Sequence, residues 1–245
     1  MKTKILILSF SILFYYGCKQ NNVIDKKSLI IGDPLECGIS QTLLFPVGTR
    51  SNQDASKEDN SDMSIKRKGK LYFSENKSTE FNDRLAKVEY INENLNDFDI
   101  RNILYYNLIT GKSHPLSTDT FHILSFAIHT EFVKPLIFYR IVKTDLNKDN
   151  KFDSSDPVIL YVSNLIGDSL TRITPENEQF IDYFYYPSTN KILIKTIVDS
   201  DNNKKFESND ETNFYEMKIA NLELGKVIFS KGLTDSLKQQ IIGTK

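Results

Sequence analysis

Pro135-Leu-Ile-Phe-Tyr-Arg-Ile-Val142, Asp145-Leu-Asn-Lys-Asp-Asn-Lys-Phe-Asp-Ser-Ser-Asp156 and Val158-Ile-Leu-Tyr-Val-Ser163 decide the reading of this chain. Two runs of β-branched and aromatic residues flank a polar, acidic loop, which is the pattern of strand, connection, strand. The same pattern returns 54 residues later as Lys191-Ile-Leu-Ile-Lys-Thr-Ile-Val198, Asp199 to Asp210, and Asn213-Phe-Tyr-Glu-Met-Lys-Ile219. Phe98, Phe152 and Phe206 share that spacing, and Asp99, Asp153 and Glu207 follow them. Gly turns close each unit, at Thr110-Gly111, Ile166-Gly167 and Leu224-Gly225.

Outward from this core, each unit reads as four strands. The clearest copy is His122–His129, Pro135–Thr144, Val158–Asn164 and Leu170–Thr174. The next is Phe180–Tyr186, Ile192–Val198, Asn213–Ile219 and Lys226–Phe229. Helical periodicity is confined to a tail near Leu233–Ile242. The expected fold is all-β: a propeller-like array of four-stranded antiparallel blades with a short C-terminal helix. Three repeats of about 54 residues do not close a ring of the usual 4–8 blades. Leu29–Val47, which contains Gln41-Thr-Leu-Leu-Phe-Pro-Val47, is expected either to complete a fourth blade with the C-terminal strand or to leave an open array. Domain limits follow: residues 1–17 a signal segment, 18–28 a tether, 29–232 the β domain and 233–245 the tail. Residues 51–69 are a polar, aperiodic insertion expected to be disordered.

Leu160-Tyr-Val-Ser-Asn-Leu-Ile-Gly-Asp168 followed by Thr171-Arg-Ile-Thr-Pro175 resembles the outer strand pair of TolB-like β-propeller repeats. Tyr186-Pro-Ser-Thr-Asn-Lys-Ile192 stands where that family has Trp-Ser-Pro-Asp-Gly-Lys-Ile, so Trp and Gly are lost. The resemblance covers roughly residues 81–230 and implies a fold but no catalytic residues.

The loops between the strands carry the chemistry. Asp145, Asn147, Asp149, Asp153 and Asp156 place side-chain oxygens at loop positions one, three, five, nine and twelve. Asp199, Asp201, Asn203, Glu207 and Asp210 repeat that spacing, and position seven offers the carbonyl of Lys151 or Lys205. Ca²⁺ takes six to eight hard oxygen ligands, so the spacing suits one ion per loop, up to two in all. The pattern resembles dockerin and EF-hand calcium loops, although Asn150 and Lys204 replace the usual Gly and the flanks are strands. Ile91-Asn-Glu-Asn-Leu-Asn-Asp-Phe98, in the first repeat, has lost the ligand set.

Composition narrows the role. Lys+Arg 31 against Asp+Glu 32 gives a net charge of −1, which provides no field for nucleic acid. No nucleophile elbow, zinc-protease helix, phosphate-cradling loop or Cys-x-x-Cys is present. His122 and His129 are an odd number apart in one strand, are expected on opposite faces, and are not expected to share a metal. Without Trp, a sugar platform would rest on Tyr183-Phe-Tyr-Tyr186.

Lys2 and Lys4 precede an apolar run from Ile5 to Tyr16, and Gly17-Cys18 follows. The run is shorter than the roughly 20 residues that span a bilayer, and suits a secretory signal. Gly17-Cys18 resembles a lipobox, in the loosened form of Bacteroidota lipoproteins, and implies acylation of Cys18 and an outer-membrane location on either face. Cys37 is then the one remaining thiol, a small core residue. The expected function is a non-catalytic, lipid-anchored binding or scaffold protein of the cell envelope with an envelope protein partner. The alternative is a glycan-binding or glycan-cleaving propeller. Cys18→Ala is expected to release the chain from the membrane fraction or to stall its processing. Unchanged partition with an uncut signal contradicts lipidation.

Overall fold

A computed structural model describes residues 28–37, 41–50, 71–73, 87–91, 99–119 and 121–243. The signal segment, Cys18, the 51–69 insertion and the degenerate loop ending at Phe98 lie outside them. In chain order the strands are β1 (Ser28–Ile31), β2 (Leu35–Glu36), β3 (Thr42–Arg50), β4 (Leu71–Phe73) and β5 (Lys87–Ile91). Next come β6 (Asp99–Asn107), β7 (Ser113–Pro115), β8 (His122–His129), β9 (Leu136–Val142), β10 (Val158–Asn164) and β11 (Thr171–Arg172). The last are β12 (Glu178–Tyr186), β13 (Lys191–Val198), β14 (Glu211–Lys218) and β15 (Lys226–Val227), before helix α1 (Lys231–Ile242).

These strands form three antiparallel sheets. The first runs β1-β3-β6-β7 with β2 alongside β3, the second β11-β10-β9-β8-β5-β4, and the third β12-β13-β14-β15. The second and third contain the four-stranded meanders expected from the repeat. In the first sheet β3 takes the place of the second strand, across an insertion that returns at β6. No sheet joins the N-terminal strand to the C-terminal one: β3 pairs with β6 and β15 with β14. Among the described residues the fourth blade therefore does not form, and no ring closure is seen. β4 and β5 instead extend the edge of the second sheet, with Lys87–Ile91 set against Ser125–His129.

The second sheet is the middle layer, and its residues alternate between two cores. Ile137, Tyr139 and Ile141 of β9 join Ile159 and Tyr161 of β10 against Leu44, Ile100, Ile103 and Tyr105 of the first sheet. Leu136, Phe138 and Val142 join Val158, Leu160 and Val162 against Ile192, Ile194, Tyr215 and Met217 of the third. Burial on both faces explains why these strands read as unbroken apolar runs rather than alternating ones. Inside the first core, the Tyr105 and Tyr139 hydroxyls lie 2.5 Å apart, and Tyr139 is 2.7 Å from Ser163 Oγ. Desolvation holds the Tyr105 and Tyr139 phenols well above their ordinary pKa, so the chain of hydroxyls stays neutral. Cys37 is buried here, its thiol 3.5 Å from the Leu165 carbonyl.

One expectation is corrected by a bulge. The register shifts between Ile123 and Ser125, so His122 pairs with Val142 and His129 with Leu136. Those partners are an even number apart, and the two histidines share a face. A classic odd-even count fails wherever an extra residue enters one strand. They remain at opposite ends of β8 and touch different neighbours. Helix α1 begins two residues before the expected tail, where the Ser230 hydroxyl accepts the Leu233 N–H.

Gly167 shows how closely the first two sheets meet. Its φ is +76°, and a Cβ there would lie 2.3 Å from the Tyr105 ring. Gly111 has a comparable φ of +67° but only the Tyr106 hydroxyl nearby, at 3.9 Å. Left-handed backbone costs a non-glycine residue about 1–2 kcal/mol, and overpacking adds about 1–3 kcal/mol. Gly167→Ala is therefore expected to lower the melting temperature by roughly 5–15 °C, and Gly111→Ala by roughly 5 °C or less. Equal shifts in thermal melts would show that the sheets are not packed this tightly.

Candidate metal centre

Both loops connect the second and third strands of their meanders, and both are folded by their own acidic side chains. In the first, Asp145 accepts the N–H groups of Asp149 and Asn150 at 3.2 and 2.9 Å, and Asn147 Oδ1 also accepts that of Asp149. Asp149 Oδ1 accepts Lys151 N–H at 2.8 Å, and Asp156 Oδ1 reaches back to Leu146 N–H, also at 2.8 Å. In the second, Asp199 accepts Asn203 and Lys204, Asp201 accepts Asn203, Asn203 accepts Lys205 and Asp210 accepts Ser200. The same donors meet the same acceptors, position for position. Lys148 and Asn150 have φ of 62° and 63°, and Asn202 and Lys204 have 59° and 64°. Both loops thus turn through left-handed residues at positions four and six, and Lys204 adopts the conformation that glycine would take freely.

Ligand convergence differs between the loops. Carboxylate oxygens of Asp199, Asp201 and Asp210 lie within 4.8 Å of one another. Glu207 is outside that trio. The first loop has Asn147 in place of Asp201 and gathers no trio of acidic ligands. At such separations each pair of charges repels by about 1 kcal/mol at the dielectric of water and about 3–4 kcal/mol at ε near 20. Hydrogen bonds offset part of this. Asp210 is held ionised below the ordinary carboxylate value by the Glu207 N–H, the Ser200 hydroxyl and the Ser200 N–H. The Ser155 hydroxyl and N–H do the same for Asp153.

Asp156 is the exception to this satisfaction. It is fully buried, and its Oδ2 has no hydrogen-bond partner. An unpartnered buried carboxylate oxygen is costly unless a proton or a cation meets it. All oxygen donors here are hard, with no sulfur or imidazole among them, which suits Ca²⁺ rather than zinc.

The first loop also reaches all three sheets. Phe152 stacks on His122 of β8 with ring centroids 3.8 Å apart and planes within 3°. His122 Nδ1 is 3.0 Å from Asp99 of β6, which also pairs with Arg101 at 2.9 Å. Burial opposes ionisation of Asp99, but the bonds from His122 and Arg101 prevail and hold its pKa down. On the other side, Gln179 of β12 accepts the Val158 N–H at 2.7 Å and donates to the Ser154 carbonyl at 3.5 Å. The apolar residue at position eight was legible as an anchor, whereas the Gln179 tie had no signal in the sequence.

The remaining histidines are structural. His129 is buried between Glu131 on Nδ1 and the Tyr183 hydroxyl on Nε2, and it stacks on Phe132. His114 stacks on Tyr105 at the surface. Among the described residues no helix is long and apolar enough to cross a membrane. Comparison with family models, with curated proteins and with solved structures gave no match to this chain.

Asp153 and Asp210 titrate below the ordinary carboxylate value of 3.8. Groups depressed in the folded state stabilise it above their unfolded pKa, and that contribution is lost as pH falls through the folded value. In chelator, the melting temperature should hold steady from pH 7 to about 5 and fall below about pH 4. Asp210→Asn should flatten that acid limb, and an unchanged limb would remove Asp210 from the account.

Proposed function

We propose that the chain is a non-catalytic, lipid-anchored binding or scaffold protein of the bacterial cell envelope, stiffened by up to two calcium ions. The observation that carries the calcium reading is the set of backbone hydrogen bonds that two loops with matching ligand spacing share, from positions one, three, five and twelve. The buried, unpartnered Asp156 Oδ2 supports it independently. The ligands are Asp145, Asn147, Asp149, the Lys151 carbonyl, Asp153 and Asp156 in one loop. In the other they are Asp199, Asp201, Asn203, the Lys205 carbonyl, Glu207 and Asp210. The structural reading of the role is supported by the first loop's ties to the sheets, through Phe152 on His122 and Gln179 on Ser154. The membrane part of the reading rests on Gly17-Cys18 after the apolar run.

Thermal melts of the full-length chain in EGTA and in 1 mM Ca²⁺ test it. For a Kd on the order of 10⁻⁵ M, each site adds about 2.7 kcal/mol, or roughly 5–10 °C. Asp145→Ala with Asp149→Ala should remove most of the first loop's share. Asp156→Asn removes a buried charge, so it is expected to raise the melting temperature in EGTA while abolishing the response of that loop to Ca²⁺. A melt indifferent to EGTA and millimolar Ca²⁺ overturns the calcium reading.

A further inference from the structure

Away from the loops, the second core contains one charged residue where its row calls for an apolar one. Leu136, Phe138, Arg140 and Val142 point alternately from β9 toward the third sheet, and the three apolar members are at most 2% exposed. Arg140 is half-buried, and its Nε is enclosed without a hydrogen-bond partner. No ion pair or hydrogen bond joins its guanidinium to any described residue. Arginine does not deprotonate, so this charge cannot escape its surroundings by titration.

Arg140 lines a cavity of about 100 Å³ between the second and third sheets. Its walls include Phe138, Leu160 and Phe180, with Ser125 and Asp182 as the polar members beside Arg140. Ser125 is buried and directly across from Arg140 in the β8–β9 register. Its hydroxyl bonds to no described residue. Asp182 follows the bulge at Phe180/Asp182 in β12, is exposed, and accepts its neighbour Tyr183's N–H at 2.8 Å rather than pairing with Arg140.

We propose that this cavity is a binding site for a small monocarboxylate with a short apolar body. The guanidinium fork matches a carboxylate bidentately, and the Ser125 hydroxyl is placed to donate a further bond. Phe138, Leu160 and Phe180 receive the hydrocarbon. Asp182 adds a negative charge to the cavity wall, which penalises dianions and favours a single charge. Sulfate, and inorganic phosphate in titrations held at about pH 8 where it is a dianion, are therefore poor ligands, although they too suit arginine. The site is independent of the calcium loops and stands whether or not they take metal.

The test is a set of titrations of the full-length chain with sodium acetate, butyrate, benzoate and phosphate, at constant ionic strength against chloride. Butyrate or benzoate at 10 mM should raise the melting temperature by about 3–5 °C for a Kd on the order of 1 mM, with acetate weaker and phosphate inert. Tyrosine fluorescence should follow the same order. Arg140→Met keeps the volume and removes the charge; it should melt no lower than the parent without ligand and bind butyrate at least tenfold more weakly. Arg140→Lys keeps the charge, loses the fork, and should fall between the two. If Arg140→Met fails to fold, the parent titration and the lysine variant still decide. Equal shifts for chloride and every carboxylate, or a phosphate response as large as that of butyrate, overturn the proposal.

Discussion

Two strands without a solvent face organise the molecule. β9 and β10 bury side chains toward both neighbouring sheets, so the first and third sheets are each fastened to the same backbone. An antiparallel sheet usually keeps one wet face, and here the middle layer gives that up. On the face toward the first sheet little slack remains, as the Gly167 approach to Tyr105 shows. Polar groups that enter this layer must be satisfied inside it. Tyr139 meets Tyr105 and Ser163, and Thr174 Oγ1 accepts the Leu160 N–H. Glu178 at the third sheet is met by Thr196, Asn213 and Tyr215. Arg140 and Ser125 are members of this layer without such a partner among the described residues, and both line the same cavity.

The same two strands are joined by the first acidic loop, and this fixes what the loop must do. Twelve residues of which only Leu146 and Phe152 are apolar cannot bury enough apolar area to offset the entropy of ordering them. Their order comes from side-chain carboxylates that take up the backbone N–H groups, and from one aromatic anchor, Phe152. Through His122, Asp99 and Arg101 that anchor is continuous with the first sheet, and through Ser154 and Gln179 the loop touches the third. A loop of this kind acts less as a connection than as a joint between layers.

Much of this was legible in the sequence, and the gaps have physical causes. The meanders of the second and third sheets were readable because their strands pair with near neighbours and repeat with a fixed spacing. The first sheet was not, since β3 and β6 are separated by the insertion and no local pattern announces their pairing. The shared face of His122 and His129 was hidden by a bulge, which inserts a residue without any change in composition. The loop ligands were visible as spacing, but the orphaned oxygen of Asp156 is a property of burial that spacing does not carry. Nothing in the run Phe-Tyr-Arg-Ile-Val sets Arg140 apart, since one charged residue in a strand is ordinary on a solvent face. Its isolation became visible only when the opposite sheet was in place.

The two loops, alike in backbone, differ in what depends on them. The second gathers the tighter trio of carboxylates, yet it closes an outer sheet whose far face is partly open, with Phe184 at 40% and Tyr186 at 48% exposure. Loosening it would free the ends of β13 and β14 and leave the two cores intact. The first has weaker convergence, because Asn147 replaces an acid, but its Asp156 is sealed and its contacts run into all three layers. Charge density therefore resides where the structural consequence is local, and structural consequence resides where the charge density is lower. A cation at the second loop would relieve repulsion, whereas one at the first would complete a buried site and hold the layers together. Of the two loops, the first is consequently the one where a bound cation would bear on the fold as a whole.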